Sequence, residues 1–272
     1  MAEISAADVM KLRKATGAGM MDCKAALQES NGNFDAAIDT IRKKGQLVAS
    51  KRADREAAEG AVIAKAAGQK GAIIMLNCET DFVAKNEKFV AFAHSILDLA
   101  LQKLPADLAA LNSLNLEGKS VKERITEQVG IIGEKLELSF YGKIESGEVV
   151  AYIHPGNKLA TLVGFNKKTI TQVGKDIAMQ IAAMAPVAVD KENVPAEMIA
   201  KEKEIGREQA HLEGKPENML DKIAEGKLNK FFKDYTLLNQ DFTKDSKKTV
   251  RQYLKESDPE LTVTGFFRQS LK

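Results

Sequence analysis

Short apolar stripes separated by glycine-rich breaks occupy the first 41 residues and predict three helices. The apolar stripe of the first helix consists of Ile4, Val9 and Leu12. Ser5 is its predicted N-cap, and the glycines of "TGAG", from Thr16 to Gly19, end it. A second helix is predicted from Asp22 to the turn "NGN", and a third from Phe34. A bundle this small buries little apolar surface, which is typical of a recognition module.

Two methionines in this region and the basic segment after it leave alternatives open. Met20 and Met21 follow the glycine break in a predicted loop. Either both fill the core or one is exposed for a partner, because a flexible thioether suits an adaptable contact surface. The segment "RKKGQLVASKRADR", from Arg42 to Arg55, is mostly basic. It is predicted to be a solvated linker, with a phosphate-binding strip as the alternative.

After the basic segment, the apolar spacing repeats one plan twice, a β-hairpin followed by a helix. The hairpins are "GAVIAKAAGQKGAIIMLNC", Gly60 to Cys78, and "GEVVAYIHPGNKLATLVGF", Gly147 to Phe165. Helical spacing follows each hairpin, from Phe89 in the first copy and from Val173 in the second. We therefore predict an internal duplication.

The loop between strand and helix is longer in the first copy. Gly60 and Gly147 are 87 residues apart, whereas Phe89 and Val173 are 84 residues apart, and the surplus falls on "CETDFVAKNEKF". A loop extended in only one copy is not required by the scaffold, which favours a functional role. Phe82, in this loop, is predicted to be exposed for a partner, with folding back onto the helix as the alternative.

The last third of the chain predicts an antiparallel helical hairpin that projects from the body, and then a return to a sheet. The apolar positions of its first helix, repeated every seven residues, are Met198, Ile205 and Leu212. A turn at "GKP" leads to a second helix with a similarly narrow stripe. The segment from Ser246 to Glu256 predicts a further helix, and "LTVTGFFR", Leu261 to Arg268, predicts a strand.

Composition excludes several classes of protein. With 272 residues and 44% hydrophobic composition, the chain has material for about two domains. A net charge of +2 provides no global basic field for nucleic acid. Two distant cysteines, Cys23 and Cys78, indicate no disulfide framework and a reducing compartment. The chain has no secretory signal and no apolar run of membrane-spanning length, so we expect a cytoplasmic protein without membrane association.

Signatures of catalysis are missing from the sequence. It has no phosphate-binding G-x-x-x-x-G-K-[ST], no G-x-G-x-x-G, no H-E-x-x-H and no G-x-S-x-G motif. His94, His154 and His211 lie in separate segments without cysteines at metal-ligand spacing. We therefore predict no enzyme, no cofactor and no metal; a Cys78/His94 nucleophilic pair is the alternative. His154, at the hairpin tip "YIHPG", is predicted to face solvent.

Three motifs together resemble the elongation factor Ts family, the guanine nucleotide exchange factors of elongation factor Tu. They are "LRKATGAGMMDCKAAL", "NCETDFVAKNEKF" and "VTGFFR", and the resemblance runs from residue 1 to about Arg268. The implied fold is α+β: an N-terminal three-helix UBA-like bundle, duplicated hairpin-plus-helix core subdomains with antiparallel sheets, and an inserted helical hairpin. The predicted boundaries are 1–44 for the bundle, 45–59 for the basic linker, 60–145 for core subdomain N, 146–188 with 241–272 for core subdomain C, and 189–240 for the hairpin.

The resemblance also implies which residues bind the partner: Arg13, Met20, Met21, Thr80, Asp81, Phe82, Val83, Ile132, Gly133 and His154. In the family, the small bundle docks on the nucleotide-binding domain of the GTPase. Asp81 and Phe82 would act as a wedge near its magnesium and phosphate-binding elements, supported by Ile132 and Gly133. His154 matches a further family contact.

The implied partner is elongation factor Tu, GDP-bound and nucleotide-free, without direct contact to nucleic acid or a membrane. A monomer, a homodimer and a 2:2 complex all stay open. The chain ends four residues after Arg268, so the further C-terminal helical module of some family members is expected to be absent. Two other functions remain alternatives: an adaptor, because the bundle resembles ubiquitin-associated modules, and RNA binding through residues 42 to 55.

Overall fold

The fold begins with a small helical bundle. The structure is a computed structural model that describes residues 4–271, so residues 1–3 and 272 of the predicted subdomains lie outside it. The three helices are α1 (Ala6–Thr16), α2 (Met20–Glu29) and α3 (Phe34–Lys51). Ser5 caps α1 as predicted, in a capping box with Asp8, and Gly17 ends this helix at a φ of 73°. Leu12, Cys23 and Leu27 are buried at the centre of the bundle.

The predicted start of α2 was wrong by two residues. Gly19 takes the extended N-cap position, so Met20 and Met21 are the first residues of the helix and do not lie in a loop. Both side chains are exposed, by 40% for Met20 and 74% for Met21. The alternative in which both methionines fill the core is therefore wrong.

The second part of the fold is a three-stranded antiparallel sheet covered by helices. Its elements are β1 (Glu59–Ala67), β2 (Lys70–Cys78), α4 (Asp81–Ala84), α5 (Glu87–Lys103), α6 (Leu108–Ser113), β3 (Asn115–Leu116), β4 (Lys119–Ser120), α7 (Val121–Ile132) and β5 (Leu136–Glu145). The strand order is β1-β2-β5. Phe89 and Leu97 of α5 pack with Ile125 of α7 against one face of this sheet. The sequence patterns used above did not predict α7 or β5.

The third part repeats this plan around a second sheet, with strand order β10-β7-β6. Its elements are β6 (Glu148–Ile153), β7 (Leu159–Phe165), α8 (Thr171–Met184), α9 (Ala196–Leu212), α10 (Glu217–Tyr235), β8 (Asp241–Phe242), β9 (Asp245–Thr249), α11 (Val250–Ser257) and β10 (Val263–Ser270). Hairpin β6–β7 and helix α8 match hairpin β1–β2 and helix α5, as the duplication predicts. The α+β prediction with antiparallel sheets is confirmed.

The two sheets pack against each other through an apolar layer. It contains Val62 and Ile73 from the first sheet and Val149 and Leu162 from the second. Alternate residues of β1 and β2, such as Ile63, face the helices instead. Both faces of these strands are therefore buried, which explains their nearly continuous apolar sequences.

Residues 42 to 51, predicted to belong to a linker, are the second half of α3. This half packs on α7, and Val48 and Ala49 contact the core beneath the first sheet. Arg42 forms an ion pair with Glu127 of α7 at 3.7 Å. The basic residues thus belong to a helix that is covered on one side, because apolar contacts stabilise helical structure beyond the small bundle.

The predicted antiparallel hairpin is present as α9 and α10, but Leu212 of the predicted α9 stripe lies outside the contact between the two helices. Leu212 is 84% exposed, whereas Gly206 and Ala210 are buried against α10. A Cβ on Gly206 would lie 3.3 Å from the Ala224 Cα atom. Small residues thus bring the two helices together. At its root, the Val187 amide donates to the Tyr235 carbonyl at 2.9 Å.

The remaining predictions concern the end of the chain. The helix predicted from Ser246 starts at Val250, because the preceding residues form β9 and Thr249 caps α11. The predicted final strand is present as β10, paired with β7. Among residues 4–271, no helix combines the length and apolar character needed to cross a bilayer.

Candidate functional site

The candidate site is centred on the loop between β2 and α5. Residues 79–86 form this loop, whereas only residues 166–170 join β7 to α8 in the second copy, so the predicted difference between the copies is present. Thr80 caps the single turn of α4, and its hydroxyl accepts from the Val83 amide at 3.4 Å. Phe82 is 84% exposed, whereas Val83 and Ala84 pack against the core. The alternative in which Phe82 folds back is wrong.

Two glutamates hold this loop from behind in a reciprocal arrangement. Glu134 accepts from the Thr80 amide at 3.1 Å and from its hydroxyl at 2.7 Å. Glu79 accepts from the Lys135 amide at 2.6 Å. The 79–80 and 134–135 segments thus each donate a backbone N–H to a carboxylate on the other. Such charge-assisted hydrogen bonds are stronger than neutral ones. The backbone beneath Phe82 is therefore fixed independently of any partner.

Ile132 and Gly133 lie at the end of α7, immediately before Glu134. Gly133 adopts a φ of 79°, which ends the helix and turns the chain towards the loop. Ile132 is partly buried against the core. Glu134, which follows Gly133 directly, is the residue of this segment that hydrogen-bonds to the 79–86 loop.

Asp81 is an anion beside the exposed ring. A hydrogen bond from Lys85, 2.6 Å long, lowers the pKa of the Asp81 carboxyl, and the nearby charge of Lys158 lowers this pKa further. At neutral pH the loop therefore presents an apolar ring and a carboxylate side by side. This pair can fill an apolar gap and accept hydrogen bonds from a partner.

His154 lies in the turn between β6 and β7, and its ring is exposed as predicted. The Tyr152 hydroxyl lies 2.8 Å from His154 Nδ1. The same turn is attached to β1, since the Val62 amide donates to the Asn157 carbonyl at 2.7 Å and Lys158 pairs with Glu59 at 2.9 Å. Glu59 is paired across the sheet with Cys78, just before the loop. The structure thus brings the His154 turn next to the 79–86 loop.

Arg13, Met20 and Met21 are each exposed on the bundle. Arg13 is in the last turn of α1, and the methionines are in the first turn of α2. The break at Gly17 to Gly19 separates them in sequence and leaves all three side chains exposed. The bundle reaches the loop through the end of α3, where Arg52 pairs with Glu79.

Cys78 lacks the features of an activated nucleophile. Its side chain is buried, and burial raises the pKa of the thiol to about 12. The Sγ atom donates to the Thr80 carbonyl at 3.2 Å, while His94 is exposed on α5. A neutral, buried thiol is the opposite of what nucleophilic catalysis requires.

Comparison with known proteins identifies the family. The family model described as "Elongation factor TS" matches residues 79–271. The chain is also 51% identical over 265 residues to "Elongation factor Ts" of Azobacteroides pseudotrichonymphae genomovar. CFP2, covering 97% of each protein. The chain belongs to the elongation factor Ts family.

Other members of the elongation factor Ts family match over similar lengths. The "Elongation factor Ts" of Porphyromonas gingivalis is 52% identical over 265 residues, covering 97% of each protein. That of Christiangramia forsetii is 50% identical over 275 residues, covering 100% of each. The resemblance found in the sequence motifs is confirmed, and the protein is a translation elongation factor.

Glu79, Glu134, Arg52 and Lys135 belong to the site but were not predicted. Glu79 and Glu134 are adjacent to predicted residues, Thr80 and Gly133, which is the only signal the sequence offers. Glu134 accepts from Thr80 and Glu79 accepts from Lys135, so these hydrogen bonds join segments more than 50 residues apart. Such contacts depend on the relative positions of the ends of α7 and β2 in the fold, and a local sequence pattern does not predict them.

Proposed function

We propose that the protein is a guanine nucleotide exchange factor that binds elongation factor Tu-GDP and promotes release of GDP. The observation that carries this proposal is the 84% exposed Phe82 ring on a backbone that carboxylates hold from behind. A large exposed aromatic residue on a fixed loop is suited to insertion into a partner. Membership of the elongation factor Ts family supports the identity of that partner.

Exchange needs negative coupling between two ligands and no covalent chemistry. Binding of the factor must weaken GDP, and by linkage GDP must weaken the factor by the same ratio. Each ~1.4 kcal/mol of coupling changes affinity about tenfold. A ring that opens a gap between packed helices can supply such coupling, because packed interiors respond in discrete steps. A loop ordered before binding avoids part of the entropic cost of association.

Each group of residues then has a role. Phe82 enters between helices of the GTPase near its magnesium and phosphate-binding elements, and Asp81 accompanies it. Arg13, Met20 and Met21 dock the bundle on the nucleotide-binding domain through an apolar and charged contact. His154, in the turn next to the 79–86 loop, provides a further contact with the GTPase.

The test is stopped-flow release of a fluorescent GDP from elongation factor Tu, with and without this protein. Release that accelerates and saturates with increasing concentration of the protein supports the proposal. Binding of the two proteins without any change in the release rate would refute exchange and favour an adaptor instead.

A further inference from the structure

An ion pair joins the helical bundle to the 79–86 loop. Arg52 follows the last residue of α3, and its Nη1 atom donates to both carboxylate oxygens of Glu79, at 2.8 and 3.0 Å. The side chains are partly buried, with 30% of Arg52 and 12% of Glu79 exposed. Because both side chains are largely covered, salt screens this pair less than it screens a fully exposed ion pair.

The same junction includes Lys135 on the far side of the loop. Besides its amide bond to Glu79, its ammonium group donates to the Ala53 carbonyl at 2.9 Å and the Arg55 carbonyl at 3.0 Å. The hydrogen bond from the Lys135 amide lowers the pKa of Glu79, and Arg52 lowers it further. The carboxylate is therefore ionised at neutral pH and connects α3, β2 and the end of α7.

A continuous path leads from the methionines to Phe82 through this junction. Asp22 of α2 forms an ion pair with Lys44 of α3, and α3 runs unbroken to Lys51. Arg52 then holds Glu79, the residue before the cap of α4. Both ends of the path carry residues to which the proposed function gives partner contacts.

We propose that the Arg52–Glu79 ion pair is a positioning contact that holds the docking bundle and the Phe82 loop in a fixed relative orientation. This proposal rests on the proposed exchange function. When the bundle docks on the GTPase, the pair aims Phe82 at its target. Without the pair the bundle still docks, but Phe82 is held less firmly, so the loss falls on the step after binding.

The experiment uses variants that remove the ion pair and preserve the rest of the junction. Arg52→Gln removes the closer of two cations, because Arg55 Nη1 also lies 3.6 Å from a Glu79 carboxylate oxygen and stays in place. Glu79→Gln retains an oxygen that can accept from the Lys135 amide, which makes it the second variant if Arg52→Gln does not fold. Arg52→Lys keeps the charge and one donor group. Lys65→Gln is the matched control, because it breaks the exposed Lys65–Asp98 ion pair, 2.6 Å long, elsewhere on the same subdomain.

Stopped-flow titrations give the maximal rate constant of GDP release and the concentration of half-saturation. For Arg52→Gln and Glu79→Gln we expect the maximal rate constant to fall about tenfold, with a change in half-saturation below about twofold. Arg52→Lys recovers most of the rate, and Lys65→Gln equals the wild type. A wild-type maximal rate in both Gln variants, or a loss only in half-saturation, would overturn the proposal.

A double-mutant comparison separates positioning from general structural support. If Arg52 acts through Phe82, Arg52→Gln has little further effect once Phe82 is replaced by Ala. The same fold-loss in both backgrounds would show that Arg52 acts independently and would overturn the proposal. If the wild-type protein does not accelerate release at all, the exchange function itself fails; if Phe82→Ala slows release but Arg52→Gln does not, only the positioning proposal fails.

Discussion

Gly130 of α7 lies directly against Gly45 of α3, where a Cβ on Gly130 would be 2.5 Å from the Gly45 Cα atom. The obstacle is backbone, which cannot rotate away as a side chain can. A methyl group at this position must push the two helices apart. The two glycines thus set how closely the bundle approaches the rest of the protein.

Gly130→Ala is expected to lower the free energy of unfolding by about 1–3 kcal/mol, the usual cost of overpacking. Gly226→Ala is the matched control, because Gly226 also lies within a helix but has no atom within 4 Å of an added Cβ. There we expect a gain of about 0.5–1 kcal/mol from higher helix propensity. Urea denaturation measures both; equal changes in the two variants would contradict the proposed packing role.

Phe82→Ala is expected to reduce the maximal rate constant of GDP release by tenfold or more, since the ring supplies the proposed coupling. The free energy of unfolding should change by less than about 0.5 kcal/mol, because the side chain is exposed. Ile170→Ala is the control: Ile170 is 62% exposed in the corresponding loop of the second copy and should retain the maximal rate. A normal maximal rate for Phe82→Ala would remove the ring from the mechanism.

Met21→Ser is expected to weaken docking without affecting the later step. Loss of a buried thioether from an interface costs about 1.5–3 kcal/mol, so half-saturation should rise about tenfold or more at an unchanged maximal rate. Met10→Ser provides the control, because Met10 is 54% exposed on the same bundle but outside the predicted contact group. Equal effects of both variants would place the docking surface elsewhere.

The lowered pKa of Glu79 predicts a specific loss of stability in acid. Its pKa in the folded protein is below its ordinary value of 4.5, chiefly because the Lys135 amide donates to it. A lowered pKa stabilises the fold above pH 4.5, and this contribution disappears as the pH falls through the folded-state pKa. The stability difference between wild type and Glu79→Gln should therefore shrink below pH 4.5. Urea denaturation between pH 7 and pH 3 measures it; a constant difference would contradict this role of the carboxylate.

Local signals in the sequence predicted much of the fold. Ser5 marked the start of α1, and the "NGN" turn marked the start of α3 at Phe34, because caps and turns depend on neighbouring residues. The two hairpins followed from apolar spacing and turn residues. The longer loop with Phe82 followed from comparing the two copies, since an insertion changes register whatever its structure.

Features that depend on distant contacts were not predicted. The second half of α3 was assigned to a linker because its charges hide the apolar contacts of Val48 and Ala49. The contact between α9 and α10 was misplaced because Gly206 contributes through its small size, which a hydrophobic pattern does not detect. The Arg52–Glu79 pair depends on the tertiary arrangement of both its ends.

The hairpin of α9 and α10 leaves the body and returns to it at neighbouring backbone positions. Ala188 and Thr236 form a parallel bridge, and the Leu237 amide donates to the Ala188 carbonyl at 2.9 Å. A short connection could therefore join the two ends of the hairpin, whatever segment lies between them in the sequence. We therefore expect that the hairpin can be shortened, lengthened by whole helical turns, or exchanged for a reporter domain without changing the register of the sheets.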